Sequence, residues 1–105
     1  VSLDWMRGDA ARAVGRATET VRRCQGTVAL ASALCFLAEQ QHHLGNLAEA
    51  ERSYERALAE QRRLNADNPD QASSLRGLAR VHLSRGNPAA AEVRFRRALE
   101  LRRAA

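Results

Sequence analysis

Lysine is missing from this chain: all 17 of its basic residues are arginine. With the abundance of alanine, that preference points to a GC-rich coding genome, and the expected source is bacterial. Aromatics are also scarce, at 4% against 45% apolar residues in total, so any core must rely on close contacts between small side chains. No run of 18 or more apolar residues occurs. The longest candidate, residues 27–38, is too short for a bilayer and too far inside for a secretory signal. With no such signal, Cys24 and Cys35 give no reason to expect a disulfide framework. The reading is of a soluble, cytoplasmic protein with reduced thiols and no membrane contact.

Catalytic signatures are absent too. There is no glycine-rich phosphate loop, no nucleophile elbow and no zinc-protease frame. No enzyme activity and no cofactor are expected. A length of 105 residues suits one domain, and its charge of +5 favours acidic partners weakly at physiological salt. Val1 is not an initiator methionine, so a fragment of a larger protein is expected.

What the chain does contain is a duplication. Residues 32–62 laid over 73–103 give 13 identities in 31 positions without a gap. The matched pairs include Leu34 with Leu75, Leu37 with Leu78, Ala38 with Ala79, Gly45 with Gly86, Asn46 with Asn87, Ala50 with Ala91, Ala57 with Ala98 and Leu58 with Leu99. Leu30, Leu34, Leu37, Ala38 and Gln41 fall on one stripe of a helix, and Ala50, Tyr54, Ala57 and Leu58 repeat the pattern. Gly45 suits the left-handed conformation that ends a helix, and Asn46 with Glu49 forms a capping box for the next. Gly86, Asn87 and Pro88 serve the same purpose, while Asn68, Pro69 and Gln71 start a further helix.

The spacing predicts helices over about 27–44, 47–64, 69–85 and 88–103. Gly8, Ala13, Ala17 and Val21 align with Gly45, Ala50, Tyr54 and Leu58, so residues 9–24 read as a degenerate second helix. Residues 1–7 would then end its partner helix. The expected fold is all-α, five helices in about two and a half units: a partial repeat at 1–26, then repeats at 27–68 and 69–105.

A helix pair with small residues at the crossing and an aromatic on the second helix resembles the tetratricopeptide repeat. The residues that carry the likeness are Leu37, Ala38, Gly45, Ala50, Tyr54 and Ala57, and again Leu78, Ala79, Gly86, Ala91, Phe95 and Ala98. The period of 41 is similar to the long-repeat subtype of kinesin light chains and bacterial sensor arrays. Arg76 and Gly77 stand where that subtype often has asparagines, and Gln41 and His82 where an aromatic is usual. The resemblance implies a right-handed superhelix whose inner wall, lined by first helices, binds a peptide or partner helix.

The wall residues expected from the register are Cys35, Glu39 and His42, then Arg76, Arg80 and Leu83. The two arginines suit a carboxylate or phosphate. The plainer alternative is that Glu39 bridges to Arg76 or Arg80 and stiffens the stack. Cys35, Glu39 and His42 share a face at zinc-ligand spacing but lack a metal-binding frame, and His43 points elsewhere, so no metal is expected. Arginine pairs at 22–23, 62–63 and 102–103 oppose helix dipoles at second-helix ends rather than form a phosphate edge. Trp5, Phe36, Tyr54 and Phe95 read as core or end residues, which argues against nucleic-acid binding.

The expected function is a protein-interaction scaffold within a larger bacterial regulatory or signalling protein. One alternative is a structural or oligomerisation module that self-associates through its terminal helices, where Leu3, Trp5, Met6, Val93, Leu99 and Leu101 leave apolar surface. Another is a nucleic-acid-binding helical repeat. Stacking makes a direct prediction: Ala57→Arg forces a long charged side chain into a close helix crossing and unfolds the chain. An unchanged melting temperature would contradict the stacked arrangement.

Overall fold

The computed structural model describes residues 3–26, 29–64 and 70–104, without the side chains of 3–7 and 10. Five helices make up these residues: α1 (Leu3–Arg23), α2 (Leu30–His43), α3 (Leu47–Leu64), α4 (Gln71–Ser84) and α5 (Pro88–Ala104). No strand occurs among the described residues. The shortest dimension, 19 Å, is about two helix diameters, so the array is two layers thick.

Local chemistry ends each helix where the spacing predicts. Gly45 has φ +82° and Gly86 φ +77°, values that glycine reaches without a Cβ penalty. In the first turn the Gly45 amide donates to the His42 carbonyl and the Asn46 amide to the Gln41 carbonyl. In the second, Gly86 and Asn87 donate to Leu83 and His82 in the same way. Both copies thus close with a Schellman pair of hydrogen bonds, which satisfies carbonyls the helix leaves bare. Asn87 then caps α5 through its side-chain oxygen, which accepts from the Ala90 amide at 3.3 Å.

One expected turn does not form. Gly8 lies inside α1, which runs unbroken from Leu3, so residues 3–7 belong to this helix rather than to a partner. A glycine costs a helix interior only about 1 kcal/mol. Gly8 also lacks the Asn that follows Gly45 and Gly86, and Asp9 instead pairs with Arg12 within the helix. The expectations for the side chains of Leu3, Trp5 and Met6, and for Asn68 and Pro69, lie outside the described residues.

Small residues set the packing. Ala38, Ala50, Ala57 and Ala79 are fully buried, and Ala91 and Ala98 nearly so. Two apolar clusters result. Ala17, Val21, Leu30, Leu34, Leu37 and Ala57 join α1 to the first hairpin, while Tyr54, Leu58, Leu75, Leu78, Val81 and Leu101 join the two hairpins. Consecutive helices all touch, and the backbones of α2 and α4 also come close, whereas α3 reaches α1 and α5 through side chains only, as in the Glu55–Arg94 ion pair. First helices therefore converge while second helices splay. The stack curves with α2 and α4 on its inner side.

The joint between the hairpins explains the glycine where the long-repeat subtype often has asparagine. The Tyr54 ring lies over Gly77, and a Cβ there would fall 2.3 Å from the ring. Tyr54 is deeply buried, so the ring has little room to yield. The expected result is that Gly77→Ala destabilises the chain by about 1–2 kcal/mol, overpacking outweighing the better helix propensity. In a Tyr54→Leu background the same change is expected to be neutral or stabilising. Denaturant midpoints of the four chains measure this, and equal losses in both backgrounds would rule out the ring as the cause.

Candidate functional site

Of the residues that the register assigned to the wall, Cys35 and Glu39 border one hollow and His42, Arg80 and Leu83 another, while Arg76 stands on α4 outside both. Glu39, Arg76, Arg80 and Leu83 are exposed there, with Cys35 and His42 half-buried. The two half-buried side chains turn toward α4: Cys35 Sγ lies 2.9 Å from Ser74 Oγ, and His42 Nε2 lies 2.9 Å from Ser84 Oγ. Among the described residues no group of three His, Cys, Asp or Glu side chains is gathered to hold a metal ion.

Behind Cys35 a short polar chain ties three helices. The Ser74 hydroxyl donates to Gln61 Oε1 at 3.0 Å, and Gln61 Nε2 donates to the Asp70 carbonyl at 3.2 Å. Burial pushes the Cys35 thiol up, and the neighbouring Glu39 carboxylate adds to this, against the opposing hydrogen bond to Ser74. A protonated thiol is a poor nucleophile, so Cys35 is a packing and hydrogen-bonding group. Gln41, where an aromatic is usual, is buried and accepts from the Ser53 hydroxyl at 2.7 Å. Its counterpart His82 is buried beside Glu51, which Arg85 also holds at 2.7 Å.

Two hollows open on the wall. One of about 400 Å³ is lined by Ser32, Cys35, Phe36 and Glu39 of α2, with Gln61 and Leu64 of α3 and Asp70 and Ser73 at the start of α4. The other, about 520 Å³, is lined by His42, His43, Arg80, Leu83 and Ser84. His43 therefore shares a hollow with His42 rather than pointing elsewhere. Burial lowers the pKa of His42, and Arg80 and His43 lower it further, which favours the uncharged imidazole of His42 beside the arginine.

Phe36 is neither core nor end. Its ring is 47% exposed in the first hollow, one residue beyond Cys35 and on the face of Glu39. The signal was present in the register, since Phe36 aligns with Gly77, where a core residue does not fit. Glu39 makes no bridge to Arg76 or Arg80; no ion pair among the described residues includes any of the three. The stiffening role for Glu39 is thereby set aside.

Residues 29–104 match a family model described as the tetratricopeptide repeat. The chain belongs to the tetratricopeptide repeat family. None of the curated proteins and none of the solved structures compared with it matches it. Among the described residues no helix is long and apolar enough to cross a membrane. The last tetratricopeptide unit has an open outer face: Phe95 is 39% and Leu99 49% exposed, where their counterparts Tyr54 and Leu58 are 4% and 2%. Val93 is exposed on another side of α5, whereas Leu101 turns inward and is buried. The inward turn follows from helix periodicity, because Leu101 lies one turn beyond the buried Ala98 and meets Leu75 and Leu78 of α4.

Tyr54 links the core to the wall, and it is the chain's single tyrosine. Burial holds its phenol up at about 12, with Glu39 adding to the effect. The folded state grips this proton more tightly than the unfolded chain does. Its stabilising contribution is therefore complete below the ordinary value near 10 and is lost as pH rises toward 12. Tyrosinate absorbance is expected to appear well above the ordinary midpoint and to coincide with loss of helix, and Tyr54→Phe should flatten the alkaline fall in stability. An ordinary tyrosine titration in the folded chain would show that the ring is not enclosed.

Proposed function

We propose that the wall formed by α2 and α4 binds a peptide or helix of a partner protein, through Cys35, Glu39, His42, Arg76, Arg80 and Leu83. Tetratricopeptide repeats are generally protein-interaction modules and typically non-enzymatic scaffolds. The observation that carries the reading is what the wall exposes. Of six large apolar side chains left open among the described residues, Phe36, Leu64 and Leu83 lie on its two hollows. Beside them stand Arg76 and Arg80, which make no ion pair among the described residues. Apolar contact area ringed by uncommitted charge is how interaction surfaces combine affinity with register. The wall needs little rearrangement to bind, because α2 and α4 are locked by the core behind them.

The 41-residue period supports placing the chain in the long-repeat subtype, similar to kinesin light chains, and a bacterial, cytoplasmic regulatory or signalling role follows from that likeness. A second reading rests on a separate surface. Phe95 and Leu99 form an apolar face on α5, and self-association there would cover it. Nucleic-acid binding has less support, because the exposed aromatics Phe36 and Phe95 are isolated from one another.

Pull-downs with the native chain and with Arg76→Glu/Arg80→Glu distinguish these readings. Loss of captured proteins is expected on charge reversal, with an unchanged melting temperature since both arginines are exposed. Identical captured sets would refute the wall. Loss with Phe95→Glu/Leu99→Glu instead would transfer the function to the end face.

A further inference from the structure

We infer that the hollow at Phe36 and Glu39 is a subsite for a basic side chain, so that the wall takes a partner segment carrying an arginine or lysine at one end and an acidic residue at the other. This inference rests on the peptide-binding reading of the wall and adds the chemistry of the ligand.

The first observation is a charge left over. Seven of the eight glutamates, Glu19, Glu49, Glu51, Glu55, Glu60, Glu92 and Glu100, pair with an arginine within the chain. Glu39 alone makes no ion pair among the described residues, in a chain with 17 arginines, two of them on the adjacent inner helix. Its carboxylate is free for an incoming cation.

The second observation is the company it keeps. Among the described residues the hollow is lined by two carboxylates, Glu39 and Asp70, and by no basic residue, although the chain as a whole carries +5. The other hollow reverses this, with Arg80, His42 and His43 and, among the described residues, no acid. The wall is therefore bipolar along the axes of α2 and α4, against the trend of the chain.

The third is the ring. Phe36 is 47% and Leu64 51% exposed on the same hollow. An arginine or lysine has a use for both: its aliphatic stem lies on the leucine, and its charged head sits between the ring face and the Glu39 carboxylate. A purely apolar ligand would leave that carboxylate poorly solvated, and an acidic one would be repelled.

Spacing sharpens the inference. From Cys35 to His42 is seven residues, about 10 Å along a helix. An extended peptide covers that distance in about three residues. The ligand is thus an extended segment of a partner protein in which a basic and an acidic side chain are separated by about three positions, and the bipolar wall fixes the direction in which it lies.

Random eight-residue peptides displayed on phage provide the probe, selected against the native chain, Glu39→Arg and Arg76→Glu/Arg80→Glu. Each variant is first checked for an unchanged helical melting curve. The native chain is expected to enrich peptides with an arginine or lysine about three positions from an aspartate or glutamate. Glu39→Arg should abolish the basic preference, keep the acidic one, and bind a synthetic version of the enriched peptide about tenfold more weakly. Arg76→Glu/Arg80→Glu should do the converse. If basic residues are not enriched, or their enrichment survives Glu39→Arg, the subsite is overturned while the peptide-binding wall stands. If the native chain enriches no peptide at all, both fall together.

Discussion

The structure depends on how closely its helices approach one another. Ala38 on α2 and Ala50 and Ala57 on α3 are buried with no exposed surface, as is Ala79 on α4. A larger side chain at any of these crossings would separate the backbones and open gaps that the few aromatics cannot fill. Close crossing within each hairpin then forces a choice at the joint between hairpins. There one large group, the Tyr54 ring, takes the space over the one residue without a side chain, Gly77. The same joint brings the backbones of α2 and α4 together while α3 and α5 meet through side chains only, and from this asymmetry the inner wall arises.

Polar groups inside the stack add direction to a core of alanine and leucine that would otherwise tolerate sliding. The Ser53 hydroxyl bonded to Gln41, and the chain from Cys35 through Ser74 to Gln61, each join different helices at one register. Among the described residues no buried side-chain nitrogen or oxygen lacks a partner. Fully satisfied interior polar groups cost little and penalise every alternative register, in which they would be stranded. Cys35 and Gln61 also border the first hollow, so the network that fixes the stack holds part of the wall in place.

Outside the core, most charges are spent locally. Glutamates on α1, α3 and α5 pair with arginines three or four residues away or on the neighbouring helix, exposed contacts that add little stability individually. What they achieve is to commit seven of the eight glutamates to partners within the chain. The charges of the inner wall are not neutralised in this way, and the apolar groups beside them are uncovered. The outer face of α5 is also uncovered, but it bears hydrophobic groups where the preceding unit packs its neighbour, so it repeats a core pattern rather than a ligand-binding one.

How much was legible in the amino-acid order follows from the range of the forces involved. Helix periodicity, the glycines at 45 and 86, and the small residues at crossings are local or repeated signals, and they located four helices and both turns. Gly8 misled, because a glycine alone does not end a helix without a capping partner and a helix to turn into. Phe36 and Leu101 were misassigned because hydrophobicity states a preference for burial, not whether a neighbour arrives to provide it. The amino-acid sequence by itself determined an all-helical repeat and its stacking order. Only the tertiary structure decided that Glu39 makes no ion pair among the described residues and that Glu39 with Asp70 borders one hollow while His42 with Arg80 borders the other, since these depend on distances between residues some 30 to 40 positions apart.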